Sequence, residues 1–512
     1  MYRVDIPERL NIADYFLTRR LEEGAADRIA LRLPGRDLTY SEVEALAGRS
    51  GRVLRQLGVR SEDRVMIALP DGADWVGAFF GVLKLGGVVV MVNPGLKLEP
   101  LAALIDYVEP RLVLAAPETG ETFSRAAAQT SARPSIASVG GSIEGAAPWD
   151  DLAAGADGEL EALPRHRDDA AIWLFSGGTT GVPKGVVQRH GSFVNTTELY
   201  AKRALGYGPE DVTLSVPKLY FGYATGSNLL FPFAVGASAV LFPEHPTAEI
   251  LFERIARYRP TVLVNVPTMI NQMVGHPGAR RQNLSCLRFA TSAGEALPAP
   301  LYERWKEVFA VELLDGLGTA EMWHIFVTNR PGRVKPGTLG QPVEGFDVKV
   351  ADDEGVEVAA GEIGKLWVRG ASLGLGYWRH AEKTAASFRG EWFVGGDLVS
   401  RDAEGYVTYC GRGDDVLKVS GKWLAPQEVE SCLMRHPAVR ECAVVGIENA
   451  QGLTKPVAFV TLKAEATEDE LKRHVLDRLD AYKHPRQVIT LDEMPRTHLG
   501  KIDRGRLKEL AA

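Results

Sequence analysis

The run Ala170-Ala171-Ile172-Trp173-Leu174-Phe175 leads directly into Ser176-Gly177-Gly178-Thr179-Thr180-Gly181-Val182-Pro183-Lys184-Gly185. The first six residues are apolar throughout, which predicts a buried strand. In the ten that follow, glycines let backbone N–H groups turn inward, while hydroxyls and one lysine add donors. A loop of this kind at the end of a strand suits a polyphosphate. It is not a Walker A loop. That pattern needs Gly-Lys-Ser/Thr, and here Pro183 precedes Lys184 and Gly185 follows it.

Outward from this loop, short β-branched runs alternate with amphipathic stretches. Val65 to Leu69, Leu112 to Ala115 and Thr261 to Val266 predict strands; Tyr40 to Leu57 and Ala248 to Tyr258 predict helices. Such alternation points to α/β layers with parallel pairing. No self-similar period is present, which excludes a solenoid. Ala116 to Gly158, rich in Ala, Ser, Gly and Thr, reads as a surface excursion of low functional weight. The character changes after residue 340, where Phe346 to Val350 and Gly364 to Arg369 predict a small β-rich subdomain. The last hundred residues predict a compact α+β unit. Its helices are Pro426 to Met434 and Thr467 to Leu479, and its strands Glu441 to Gly446 and Pro456 to Leu462. The glycine-rich, charged join at Gly411-Arg412-Gly413-Asp414-Asp415 has the composition of a linker.

Composition narrows the function classes. The chain has 512 residues, beyond the size at which single cores stop growing, so more than one domain is expected. Apolar residues at 45% and charged residues at 24% are those of a globular protein. Lys plus Arg number 59 and Asp plus Glu 66, a net charge of −7. That balance argues against nucleic-acid partners. Cys286, Cys410, Cys432 and Cys442 lie far apart with no Cys-x-x-Cys pair, so reduced thiols are expected rather than a zinc site or disulfide framework. The N-terminus lacks a signal-peptide core. Val76 to Val92 is apolar, but Lys84 and Gly86-Gly87 interrupt it, and it reads as a buried helix, a turn and a strand rather than a membrane span. The expectation is a cytoplasmic protein with no membrane partner, as monomer or homodimer.

Further stretches turn the phosphate loop into a resemblance. Ser176 to Gly185 resembles the phosphate-binding signature of the adenylate-forming superfamily, which includes acyl- and aryl-CoA ligases, luciferases and peptide-synthetase adenylation domains. Asp315-Gly316-Leu317-Gly318-Thr319-Ala320-Glu321 resembles that family's Gly-x-Thr-Glu motif, and Trp392-Phe393-Val394-Gly395-Gly396-Asp397 its Trp-Phe-x-Thr-Gly-Asp motif. Gly411 to Asp415, with Lys418, Gly421, Pro426 and Glu428, resembles the hinge motif. Pro495-Arg496-Thr497-His498-Leu499-Gly500-Lys501 resembles the terminal lysine motif. Five motifs in the family's order span most of the chain from residue 170 onward.

The resemblance implies an α/β fold. A large N-terminal adenylation domain, residues 1–412, would hold two α/β sheet subdomains and a small β-rich one. A small mobile α+β domain, residues 413–512, would carry the catalytic lysine. It also implies an AMP-forming acid–thiol ligase that uses ATP, Mg2+ and coenzyme A. In the first half-reaction a carboxylate attacks the α-phosphate of ATP and pyrophosphate leaves, so catalysis is mainly positioning and electrostatics. Catalytic roles fall to Lys501, Glu321 and Lys184, with Glu321 as the Mg2+ ligand. ATP would lie against Ser176, Gly177, Gly178, Thr179, Thr180, Ala293, Gly294, Glu295, Asp315, Gly316 and Thr319, with Asp397 and Arg412 at the ribose. Asp414 would be the hinge, and Ser420 and Gly421 would line a channel for the thiol. Two departures stand out: the family's threonine before the glutamate is Ala320 here, and that of the Trp-Phe motif is Gly395.

Val216-Pro217-Lys218-Leu219-Tyr220-Phe221-Gly222-Tyr223-Ala224-Thr225-Gly226 is similar to the benzoate–CoA ligase subgroup, as are Leu10 to Phe16 and Glu22-Glu23-Gly24. Aromatic walls favour a flat aromatic acid. The expected acid pocket comprises Tyr220, Phe221, Tyr223, Ala224, Gly318, His324 and Ile325, and the expected substrate is a benzoate, aminobenzoate or hydroxybenzoate. The alternatives are a medium-chain fatty acyl-CoA ligase, an adenylation enzyme that loads a carrier protein, and a weakly catalytic nucleotide sensor.

Overall fold

The computed structural model describes residues 3–176, 184–413, 417–419, 422–448, 454–496 and 502–511. Two large sheets organise the first four hundred residues. In the first, the order is Gly376–Tyr377, Lys184–Arg189, Ala170–Ser176, Val88–Met91, Arg64–Ala68, Leu112–Ala115, Ser135–Ser138 and Ala147–Pro148. Pairing is parallel from Ala170–Ser176 to Ala147–Pro148. Lys184–Arg189 and then Gly376–Tyr377 are added antiparallel at one edge. The strands Ala170–Ser176 and Lys184–Arg189, which flank the expected phosphate loop in sequence, are therefore paired with each other.

The second sheet runs Gln341–Pro342, Ile325–Thr328, Leu313–Gly318, Phe289–Ser292, Val262–Asn265, Val212–Ser215, Ser238–Val240, Ile29–Arg32 and Asp37–Thr39. Its centre is parallel, with Ser292 opposite Asp315. The largest apolar core contains residues of both sheets and of the helices Tyr40–Gln56 and Ala73–Lys84. Thr39 starts the first helix through a capping box with Glu42. The two helices touch through glycines: a Cβ on Gly81 would lie 2.8 Å from the Gly51 nitrogen. The second helix ends on Lys84, whose side chain is 1% exposed and pairs with Glu44.

A five-stranded antiparallel sheet follows: Asp347–Ala351, Ile363–Arg369, Trp392–Arg401 and Phe388–Arg389, with Val407–Arg412 paired to Trp392–Arg401. The final hundred residues form a three-stranded sheet, Val439–Glu448, Thr454–Leu462 and Gln487–Thr490, with helices Pro426–Met434, Glu468–Leu476 and Arg504–Ala511. Most sequence-based boundaries agree within two residues, among them Leu112–Ala115, Ala248–Tyr258 and Pro426–Met434.

Ala116 to Gly158, read from its composition as a surface excursion, is built into the first sheet and its helices. It holds the helices Pro117–Gln129 and Trp149–Ala154 and the last two strands of the first sheet. Phe123, Ala126 and Ala127 bury one helical face there, so small residues supply a packed stripe that a count of large apolar residues overlooks. All four cysteines are free thiols. Among the described residues no helix is long and apolar enough to cross a membrane.

Candidate active site

Three sheets deliver the expected site residues. Lys184 opens the strand that leaves the phosphate loop, and Glu321 lies in the turn between Leu313–Gly318 and Ile325–Thr328. Glu321 is 4% exposed. Its backbone carbonyl accepts hydrogen bonds from Gln188 Nε2 at 3.0 Å and from the Gly374 amide at 2.8 Å. Gln188 Nε2 also donates to the Ala320 carbonyl at 2.7 Å. The Glu321 carboxylate accepts from the Tyr377 hydroxyl at 2.6 Å. Lys184 Nζ sits 5.2 Å from the centre of the Tyr377 ring. Burial, and then the Glu321 charge, push the Tyr377 phenol well above its ordinary range, so it stays a donor.

Thr319, beside Ala320, accepts the Met322 amide at 3.3 Å and so is used within the turn. The turn ends in a strained residue: Trp323 has a φ of 64° and is buried against Phe193 and Phe231.

The expected adenine wall lies at the carboxyl ends of two neighbouring strands, where ligands of open α/β sheets collect. Ala293, Gly294 and Glu295 follow Phe289–Ser292, and Asp315 and Gly316 belong to the adjacent strand. Asp315 is buried, and burial pushes its carboxyl well above the usual range. Asp315 Oδ1 is buried with no partner in good hydrogen-bond geometry among the described residues, while the neighbouring Ser292 hydroxyl draws the carboxyl back down. An acceptor placed in this way favours an incoming donor. Glu295 is committed within the protein, accepting from the Thr268 amide and hydroxyl at 3.1 and 2.8 Å.

In the antiparallel sheet Asp397 lies opposite Arg412. Arg412 Nε is 3.7 Å from Asp397 Oδ1, and the Tyr409 hydroxyl is 3.4 Å from the same oxygen.

The acid-pocket candidates divide into two groups. Tyr223, Gly318, His324 and Ile325 come together, and Ala224 is buried beside Tyr223 in the short helix Gly222–Thr225. The Tyr223 and Thr291 hydroxyls are 2.6 Å apart, and His324 Nε2 is 3.1 Å from the Tyr223 carbonyl and 3.3 Å from Ser227 Oγ. Gly318 faces the His324 backbone so closely that a Cβ would meet the His324 carbonyl oxygen at 2.5 Å. Ile325 is Gly318's partner across the strand pair. Behind His324 stand the rings of Phe231, Trp323 and Tyr200, at 4.7, 5.3 and 5.4 Å. Burial lowers the His324 imidazole to about 3, so the ring is neutral.

Tyr220 and Phe221 form the second group. Their rings contact each other at 4.6 Å, and Phe221 is 38% exposed, so it is not a buried wall in this structure. Gly177, Gly178, Thr179, Thr180, Asp414, Ser420, Gly421 and Lys501, and the side chain of Ser176, lie outside the described residues.

Sequence reasoning passed over Tyr377, Gln188, Thr291 and Asp71. Tyr377 stands in Gly376-Tyr377-Trp378, an aromatic pair after a glycine that carries no charge to signal a site. Asp71 accepts the Leu219 amide, and burial raises its carboxyl to about 6 against the pull of Lys218.

Comparison with known proteins extends this geometry. Residues 17–378 match the family described as AMP-binding enzyme, and residues 428–501 match the AMP-binding enzyme C-terminal domain. A benzoate–CoA ligase of Thauera aromatica is 40% identical over 99% of this chain and 97% of its own length. A 4-hydroxybenzoate–CoA/benzoate–CoA ligase of Rhodopseudomonas palustris is 39% identical over 98% of this chain and 94% of its own. The crystal structure of an anthranilate CoA ligase in complex with anthranoyl-AMP superposes with a TM-score of 0.94 at 38% identity, covering 99% of this chain and 98% of that one. With the phosphate-loop strands, the buried glutamate and the two sheets' carboxyl ends in the places described, the chain belongs to the AMP-binding enzyme family.

Proposed function

We propose that the protein is an aryl-CoA ligase that activates a small aromatic carboxylic acid with ATP and transfers the acyl group to coenzyme A, releasing AMP and pyrophosphate. The observation that carries the choice of acid is the blind end of the Tyr223–His324 group. Phe231, Trp323 and Tyr200 stand behind His324, and each is at most 2% exposed. That wall suits one flat ring and opposes a long aliphatic tail. The relatives named for benzoate, hydroxybenzoate and anthranilate support the same class.

In the first half-reaction a carboxylate oxygen attacks the α-phosphorus, and the bond to pyrophosphate breaks. Lys184 and Lys501 supply positive charge to the phosphates and the carboxylate. Asp397 accepts the ribose hydroxyls beside Arg412, and Asp315 accepts from the adenine amine. Glu321 is the residue that would hold Mg2+, and the bound ion would neutralise phosphate charge. The site fits that ion. Among the described residues no group of three or more His, Cys, Asp and Glu side chains could form an all-protein cage, and Glu321 Oε2 has no hydrogen-bond partner there. One carboxylate plus phosphate oxygens is the usual Mg2+ arrangement.

In the second half-reaction the thiol sulfur attacks the acyl carbon, the bond to AMP breaks, and the thiol proton passes to solvent. Residues 413–512 move about Asp414 between the two steps, taking Lys501 out and bringing Ser420 and Gly421 to the thiol channel, while residues 1–412 keep the ATP and acid sites. Four free thiols are in keeping with a reducing cytoplasm.

The test is an assay of coenzyme A-dependent AMP formation with ATP and Mg2+ across benzoate, its amino and hydroxy isomers, phenylacetate, cinnamates and straight-chain acids. Turnover with the benzoates is expected. Turnover confined to aliphatic acids would replace the acid assignment, and transfer to a carrier protein but not to coenzyme A would replace the acceptor.

A further inference from the structure

The two groups expected to meet the triphosphate, Lys184 and Glu321, come from different sheets. One side chain bridges them. Tyr377 lies on a two-residue strand whose pairing places it opposite Val186. From there its hydroxyl donates to Glu321 Oε1 at 2.6 Å while its ring faces Lys184 Nζ. A hydroxyl-to-carboxylate bond of that length is charge-assisted. The Glu321 backbone is already held by Gln188 and Gly374. The backbone contacts fix where the side chain starts, and the Tyr377 hydroxyl fixes its carboxylate end, so the torsions between are restrained from both sides. This leaves Oε2 as the oxygen without a hydrogen-bond partner among the described residues. A carboxylate held in this way loses little further entropy when it takes up a cation, and hydrogen-bonded partners of ligating carboxylates orient the ligand.

We propose that Tyr377 is a positioning residue for metal–nucleotide binding: it fixes the Glu321 carboxylate so that a single oxygen is presented to the divalent cation of the incoming ATP. The proposal rests on the reading of Glu321 as the metal-holding carboxylate. Phe388 packs edge-on against the Tyr377 ring at 5.4 Å and keeps it in place, so Tyr377→Phe removes the donor with the ring retained.

The experiment is calorimetric binding of α,β-methylene-ATP with Mg2+ and with EDTA, alongside AMP in EDTA, to the wild-type protein and to the Tyr377→Phe, Tyr377→His and Glu321→Gln variants. Tyr377→Phe is expected to weaken the Mg2+-bound analogue by about tenfold or more, with AMP binding unchanged. Tyr377→His, which retains a donor, should recover part of the loss. An unchanged Mg2+ effect in Tyr377→Phe, with a clear loss in Glu321→Gln, would overturn the role of Tyr377 alone. An equal loss for AMP and for the Mg2+ analogue would also overturn it, by making Tyr377 a general structural residue. No change in Glu321→Gln would overturn the metal assignment and the proposal with it.

Discussion

The Asp71 carboxylate accepts a hydrogen bond from the Leu219 amide at 3.0 Å, tying the loop after Arg64–Ala68 to a stretch 148 residues further along the chain. That stretch leads into Tyr220, Phe221 and Tyr223. Thr225 holds it from the other side, donating to the Leu219 and Phe221 carbonyls. The proposed acid slot would therefore be shaped by residues that do not line it.

Asp71 gives a pH-dependent prediction. Burial raises its carboxyl to about 6 in the folded protein, against a usual value of about 3.9. Below about pH 4 both folded and unfolded forms hold the proton, and the contribution to stability is full. Between about pH 4 and 6 the unfolded chain releases it first, so stability falls as pH rises, by on the order of 2–3 kcal/mol. Urea midpoints of wild type and Asp71→Asn, compared at pH 4.5 and pH 7, should show wild type losing ground to the variant at the higher pH. Parallel curves would remove the assignment. Asp71→Ala also strands the Leu219 amide and should raise KM for the acid by about fivefold to tenfold, the equivalent of a lost buried hydrogen bond.

Gly226 tests the proposed wall behind the acid. A Cβ there would lie 2.5 Å from His324 Cδ2 and 3.1 Å from Phe231. His324 has buried rings behind it and little room to retreat. Gly226→Ala should raise KM for a benzoate-type acid about tenfold, in line with an overpacking cost of about 1–3 kcal/mol. Binding of AMP alone should not change. An unaltered KM would show that His324 is not part of the slot.

The proposed roles of Lys501 and Gly421 separate the two half-reactions. Lys501→Ala should abolish most adenylate formation, read by pyrophosphate exchange, while thioester formation from supplied acyl-adenylate continues. Gly421→Leu should do the reverse by crowding the thiol channel. Equal losses in both steps for both variants would contradict the division of labour between them.

The buried pair at Lys84 is a prediction about stability alone. Lys84 Nζ lies 2.5 Å from Glu44 Oε1, 3.2 Å from Thr18 Oγ1 and 3.1 Å from the Leu160 carbonyl, on a side chain 1% exposed. Removing the Glu44 charge leaves the buried ammonium with the Asp14 carboxylate as its remaining nearby counter-charge. Glu44→Gln should cost about 3–5 kcal/mol in denaturant unfolding, and Glu44→Gln combined with Lys84→Met should recover much of it. A loss under about 1 kcal/mol would mean that Thr18 and Leu160 suffice.

What the sequence made legible was local. Ala248–Tyr258 was readable to the residue because its apolar stripe has helical period and Thr247 caps its start. Leu112–Ala115 was readable because four consecutive apolar residues stand between turn signals. The parts passed over depend on distant contacts. Tyr377 gains its role from a residue 56 positions away on another sheet, and Asp71 from one 148 away. Neither contact leaves a periodicity or a charge pattern in the chain. Phe221 shows the converse: an aromatic residue in an aromatic run says nothing of which ring faces solvent, and this one does.

The short strand Gly376–Tyr377 has a consequence for biosynthesis. It is the only strand beyond Lys184–Arg189 in the first sheet among the described residues, and it emerges from the ribosome long after the rest of that sheet. Until it arrives, Lys184–Arg189 presents an open edge, the kind of template on which nascent chains pair with one another. The residue that steadies Glu321 therefore also closes that edge, and a message cut short before codon 376 would yield a chain both inactive and sticky.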